Sequence, residues 1–194
     1  MARTASTMLE LGTVAPAFAV PEVESGELVQ LSDFDDDKAL LVMFISRHCP
    51  YVKHIITELA RIGRDYAEKS IGIVAISSND VDTYPDDAPE MLRQMAEENE
   101  FVFPLCFDES QEVAKAYSAA CTPDFFLFDG ERQLVYRGQL DASRPDTDLP
   151  VTGVDLRSAI DAVLKDLPVP DKQVPSIGCN IKWKAGNEPD YFAH

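Results

Sequence analysis

Cys49 is the residue of this chain best placed for covalent chemistry. It stands in Ile45-Ser46-Arg47-His48-Cys49-Pro50-Tyr51-Val52, after two basic side chains and directly before a proline. The thiolate is the species that attacks disulfides and peroxides, so a reactive cysteine needs surroundings that favour the anion. The first N–H groups of a helix lack partners and carry partial positive charge. A sulfur at a helix start is therefore stabilised as an anion, and Arg47 and His48 are neighbours that add positive charge. A cysteine serving only as a small buried hydrophobe fits neither those flanking charges nor that position.

The remaining thiols are Cys106, Cys121 and Cys179. No two of the four cysteines have C-x-x-C spacing, and no zinc-knuckle pattern is present. Cys106 lies in Phe103-Pro104-Leu105-Cys106-Phe107, an apolar context that reads as core. His48, His54 and His194 raise a metal hypothesis with Cys49, but His54 follows Cys49 by five residues and falls on another helix face. Metal sites need three or four convergent ligands, so neither metal nor cofactor is expected. Asp80, Asp82, Asp86 and Asp87 lack the glycine and closing glutamate of a calcium loop and read as a solvated loop.

Elements must hold Cys49 in place. Ala39 to Ile45 is a continuous apolar run, the pattern of a strand buried on both faces. Pro50 suits the first position of a helix, and Ile55, Ile56, Leu59, Ile62 and Tyr66 recur at helical spacing. Gly72 to Ser78 reads as a second buried strand, completing a right-handed β-α-β unit. Helices are expected from about Glu90 to Asn99, from Glu109 to Tyr117 and from Val154 to Leu164. Ala17–Val20 and Leu28–Leu31 flank an acidic turn with Gly26 and suggest an N-terminal hairpin. Phe125–Phe128 and Leu134–Arg137 flank Asp129-Gly130-Glu131-Arg132, a second hairpin signal. This order implies an α/β fold with a mixed central sheet and helices on both faces. The boundaries read as a domain over 1–167 and a tail over 168–194. That tail carries Ile177, Ile181, Trp183, Tyr191 and Phe192, too many large apolar residues for a disordered segment, and is expected to pack on the domain.

The net charge of −17, from 34 acidic and 17 basic side chains, argues against nucleic acid, which recruits clustered Lys and Arg, and against anionic membrane surfaces. No run of 18 apolar residues is long enough to span a bilayer. No signal-peptide h-region precedes Pro16, so a cytoplasmic location is the expectation. Oligomeric state is not readable.

The segment Phe44 to Val52 resembles the active-site segment of thioredoxins, with Cys49 at the first cysteine position and Val52 replacing the second. Thr122-Pro123 resembles the loop carrying the cis-proline beside that site. Ala15-Pro16-Ala17-Phe18 and Leu31-Ser32-Asp33-Phe34 are similar to the entry of the alkyl hydroperoxide reductase/thiol-specific antioxidant group. Over roughly residues 13–165 the chain most resembles a peroxiredoxin-like subgroup that mixes thioredoxin and peroxiredoxin features, and the tail from Pro175 to Lys184 resembles it too. A thioredoxin-like fold with a redox-active cysteine and antioxidant chemistry is what this implies. Catalysis would fall to Cys49 with Cys121 or Cys179 as resolving thiol, Cys121 ranking first because the resembled loop lies against the nucleophile. Ser46, Arg47, His48, Pro50, Thr122 and Pro123 would contact substrate. Two departures stand out. Val52 cannot resolve a mixed disulfide, and Val42 stands where peroxiredoxins carry a proline. The arginine of that family is unassigned, with Arg137 and Arg144 as candidates.

Three functions follow. The first is a thiol–disulfide oxidoreductase acting on a protein disulfide, with an external thiol reductant. The second is a peroxidase in which a hydroperoxide converts Cys49 to a sulfenic acid. The third is a non-enzymatic thioredoxin-fold binding module built on the Pro123 loop. Fold alone does not choose among them.

Overall fold

The computed structural model describes residues 3–192. Its first half runs β1 (Arg3–Ala5), β2 (Ala19–Pro21), β3 (Leu28–Gln30), β4 (Ala39–Phe44), α1 (Pro50–Tyr66), β5 (Ile71–Ser77) and α2 (Pro89–Glu98). The second half runs β6 (Leu105–Phe107), α3 (Glu112–Ala116), β7 (Cys121–Thr122), β8 (Asp124–Asp129), β9 (Leu134–Tyr136), α4 (Val154–Leu164) and β10 (Ile177–Asn180). His194, named above with the metal hypothesis, lies outside the described residues.

The main sheet has the order β6-β5-β4-β8-β9. β4 pairs parallel with β5 and antiparallel with β8, and β5 pairs parallel with β6. All six residues of β4 are buried, which explains the unbroken apolar run: a central strand has protein on both faces. Alternation along β4 sends Leu41 and Met43 into one core with α1, α2 and α4, through Leu59, Leu92 and Ile160. Leu40, Val42 and Phe44 enter a second core with Phe18, Tyr117, Phe126, Ile181 and Trp183. Helices thus cover both faces of a mixed sheet, and β2 and β3 form the expected N-terminal hairpin.

The boundary differences are local. The short helix expected from Glu109 begins at Glu112, because Gln111 adopts a left-handed φ of 66° that breaks the helical run before it. The arm strand β1 carries no apolar alternation and was not legible in the sequence. It exists because β10 offers it an edge: β1 pairs with one side of β10, and β7 with the other, in a second, three-stranded sheet. The tail therefore enters the fold as a central strand. Ile181 and Trp183 behind it are 1% and 9% exposed, which anchors it in the second core.

Leu41 is fully buried at the centre of the main sheet. Leu41→Ala should lower the free energy of unfolding by about 2–5 kcal/mol, read as a lower urea midpoint with an unchanged slope.

Candidate active site

Cys49 lies where β4 ends and α1 begins. Pro50 fills the first turn, Cys49 has the extended backbone of an N-cap, and the helix runs on through an apolar face of Val52, Ile55, Leu59, Ile62 and Tyr66. Val52, at the position of the second thioredoxin cysteine, is wholly buried and belongs to the core.

The Cys49 sulfur is fully buried. It lies 3.1 Å from the carbonyl oxygen of Thr122 and 2.9 Å from the Cys179 sulfur. Thr122-Pro123 is a cis peptide, and β7, which ends at Thr122, faces Cys179 directly in register. Cys179, second in sequence ranking, is thus the thiol in contact with Cys49. The Cys121 sulfur points to the Pro123 carbonyl at 3.5 Å. That difference follows from strand parity: adjacent residues on a strand point to opposite faces, and Cys121 pairs with Asn180 where Thr122 pairs with Cys179.

The two touching thiols are held in opposite protonation states. A hydrogen bond from the Cys179 thiol brings the Cys49 pKa from 9.0 down to about 6, against burial; the Thr122 side chain and the N–H groups of Val52 and Cys179 add to the lowering. Donating to Cys49 pushes the Cys179 thiol up, with burial adding to the rise and the Lys182 charge opposing it. Cys121 is pushed up by burial and by Asp124. Burial likewise lifts Cys106 to about 12.

Arg47 and His48, expected to favour the Cys49 thiolate, are engaged elsewhere. The Arg47 guanidinium is 3.9 Å from Glu98, and His48 Nδ1 is 2.5 Å from Asp87 Oδ2. Asp87 is fully buried and collects the Arg47 N–H at 2.6 Å, the Asn79 amide at 2.8 Å and the Ser46 hydroxyl at 3.0 Å. Burial pushes its carboxyl up, but the hydrogen bonds of His48, Asn79 and Arg47 outweigh that and hold it below the usual range. A carboxylate only accepts hydrogen bonds, so Nδ1 carries the His48 proton. Nε2 is left buried with no hydrogen-bond partner, and the ring stacks on Tyr84 at 5.1 Å. The expectation of a solvated acidic loop is corrected in part: Asp82 and Asp86 are exposed, but Asp87 is a buried hub and Asp80 is 8% exposed. Composition does not reveal such a carboxylate, because its donors come from two segments, residues 46–48 and Asn79, that meet only in the fold.

Lys182 is a site residue the sequence did not single out. It is 7% exposed, its ammonium donates to Asn180 Oδ1 at 2.6 Å and lies 5.5 Å from the Tyr84 ring centre. Burial lowers its pKa, while Cys179, Cys49 and Asp87 raise it, so its charge is felt by both thiols. The arginine candidates face other groups. Arg137 donates to Gln173, and Arg144 donates to Asp141, Ser143 and Gln139. Pro50 is exposed, while Thr122 and Pro123 are buried beneath β10. Among the described residues no three His, Cys, Asp or Glu side chains converge as a metal site.

Strand order, helix placement and the cysteine at the end of β4 define a thioredoxin-like fold. The model of the AhpC/TSA family matches residues 11–137, and the chain belongs to that family. It is similar over most of its length to two solved structures. An uncharacterized protein from Geobacillus kaustophilus is 53% identical, with 95% of this chain and 97% of that one covered and a TM-score of 0.93. A hypothetical protein from Sinorhizobium meliloti is 51% identical, covering 94% and 100%, also with a TM-score of 0.93. The thioredoxin domain of a thiol-disulfide oxidoreductase from Bacteroides vulgatus shares the fold at 23% identity, covering 70% and 90%, with a TM-score of 0.57. No curated protein matches the chain. Among the described residues no helix is long and apolar enough to cross a membrane.

Two measurements check these electrostatics. Thiolate absorbance near 240 nm should titrate Cys49 with a midpoint of about 6, and Cys179→Ala should move it upward. The depressed pKa also means that folding favours the anion. This contribution is complete above about 9 and is lost as pH falls toward about 6. Asp124, buried just after Pro123, has the opposite sign. Burial raises it from 3.8 to about 7, so its contribution is present below the unfolded value and lost as pH rises between the two. Asp124→Asn should flatten that part of the stability profile, measured by urea unfolding across pH.

Proposed function

We propose that the chain is a thiol–disulfide oxidoreductase in which Cys49 is the nucleophile and Cys179 the resolving thiol. The observation that carries this reading is the 2.9 Å contact between a thiol lowered to about 6 and a second thiol held protonated. Family membership supports a thiol-redox role.

The Cys49 thiolate attacks one sulfur of a substrate disulfide. A Cys49–substrate bond forms, the substrate S–S bond breaks, and the other half leaves as a thiolate. This removes the anion to which Cys179 donated, and with it the main cause of its raised pKa. The Lys182 charge then favours ionisation of Cys179, which passes its proton to the substrate thiolate already released; the Cys179 thiolate attacks the Cys49 sulfur and expels the second substrate thiolate. The product is a Cys49–Cys179 disulfide, and an external thiol returns the pair to the reduced state. At neutral pH the lowered pKa gives Cys49 a larger thiolate fraction, and so more nucleophile, than an unperturbed cysteine has.

A second reading has support from the family match. Cys49 would attack a hydroperoxide, releasing an alcohol and leaving a sulfenic acid, which Cys179 would convert to the same disulfide with loss of water. The hydroxyl and guanidinium groups that reading requires at Cys49 are engaged elsewhere: Ser46 with Asp87, and Arg137 and Arg144 as above. The binding-module reading needs an open edge at Pro123, and β10 covers that edge.

Turnover of a disulfide reporter should be lost in Cys49→Ser and retained in Cys121→Ser. Cys179→Ser should trap a mixed disulfide on Cys49, visible by intact-mass spectrometry. Turnover unchanged in Cys49→Ser would overturn the assignment.

A further inference from the structure

Cys49 has no exposure and Cys179 has 2%, so the substrate that reaches them is set by what covers them. The cover is β10. It pairs with β7 at Cys179–Thr122 and Asn180–Cys121, and with β1 at Arg3–Cys179, Thr4–Gly178 and Ala5–Ile177. An extended polypeptide presenting a disulfide to Cys49 along this edge would need the backbone groups of Thr122 and a sulfur above the nucleophile. β10 supplies its own cysteine at that place, 2.9 Å from Cys49.

The fit is close enough to require glycine. A Cβ on Gly178 would lie 1.9 Å from the Thr122 carbonyl oxygen and 2.6 Å from its carbon. The strand is also fastened at both ends. Ser176 donates to the Pro123 carbonyl at 2.7 Å. Beyond Asn180, Ile181 N–H donates to Ala120 at 3.1 Å, and the Lys182 carbonyl accepts from Asp80 N–H at 2.7 Å. Removing β10 therefore also strips β1 of its partner and draws the buried Ile181 and Trp183 out of the core.

We propose that β10 is a built-in occupant of the peptide-binding edge, and that it restricts Cys49 to disulfides of low molecular weight while excluding polypeptide disulfides. The inference rests on the Cys49–Cys179 oxidoreductase reading and names its substrate class. A small disulfide needs only a side-chain-sized opening beside Cys179, whereas a polypeptide needs the whole strand to leave, an opening of much greater area and lower population. The chemistry is unchanged: Cys49 forms the mixed disulfide, Cys179 closes the ring, and two small thiols leave. The same geometry makes a low-molecular-weight thiol the reductant that reopens the pair.

The test compares second-order rates at which the reduced protein is oxidised by bis(2-hydroxyethyl) disulfide, by insulin and by hydrogen peroxide, with the Cys49–Cys179 bond followed by mass spectrometry. In wild type the small disulfide should outrun insulin by about 100-fold or more, and Gly178→Val, which displaces the strand, should raise the insulin rate by about tenfold or more. Wild type also gives a measurement independent of that variant. Urea below the unfolding transition should accelerate insulin steeply and the small disulfide little, because only the former needs a large opening. Insulin keeping pace with the small disulfide in wild type, or equal urea slopes for the two, would overturn the exclusion. Hydrogen peroxide outrunning the small disulfide would overturn the assignment to disulfides. Oxidation that leaves no Cys49–Cys179 bond would instead remove the oxidoreductase reading beneath it.

Discussion

The antiparallel pairing of β10 with β7 is the interaction on which the site depends. It brings a residue 130 positions away into contact with Cys49, closes the edge beside the cis-proline, and gives β1 a strand to join. Two backbone registers suffice because each end of the strand is anchored: Ser176 on the Pro123 carbonyl, and Ile181 and Trp183 in the second core. Fully burying a large apolar side chain contributes roughly 1.5–3 kcal/mol, so those two residues hold the strand more firmly than its few ladder hydrogen bonds. The missing side chain at Gly178 is what lets the backbones approach.

From that contact comes the asymmetry of the thiols. Two identical groups in one buried place cannot both ionise, because like charges at close range in a poor dielectric repel strongly. The hydrogen bonds each sulfur receives decide which one does. Cys49 receives hydrogen bonds and becomes the anion; Cys179 donates and stays protonated. The Lys182 ammonium is a buried cation in a chain of net charge −17, and both thiols raise its pKa. Its interaction with them changes as the charge passes between sulfurs.

The Asp87 cluster does a different task. Ser46, Arg47 and His48, the three residues before Cys49, all tie to one carboxylate from the loop after β5. That loop is in turn tied to the tail, since Asn79 accepts the Lys182 N–H at 2.8 Å while donating to Asp87. The segments carrying the two thiols are thus bridged through hydrogen-bonded buried polar groups. A network of this kind fixes backbone position more sharply than apolar packing does.

Local pattern by itself determined much here. The apolar run of β4, the proline at the start of α1, the helical recurrence behind it and the hairpin signals are short-range properties, and each element formed where those patterns lie. The placement of Cys49 was legible for the same reason, because a strand end, a helix start and a cysteine meet within a few residues. Tertiary structure decided the rest. Which cysteine touches Cys49 depends on the register of β10 against β7, where one residue's shift would reverse the face of every side chain. Arg47 and His48 looked like the source of the low pKa because they are neighbours in the chain, yet Asp87 and Glu98 hold them, and the lowering comes chiefly from Cys179. Asp87 read only as one acid of a solvated loop and Lys182 as an unremarked tail residue, since burial and partner geometry are properties of separate segments brought together. The place of Cys49 at a strand-to-helix junction is a matter of chain-local pattern; its partner, its charge and its cover are long-range contacts, which no spacing encodes.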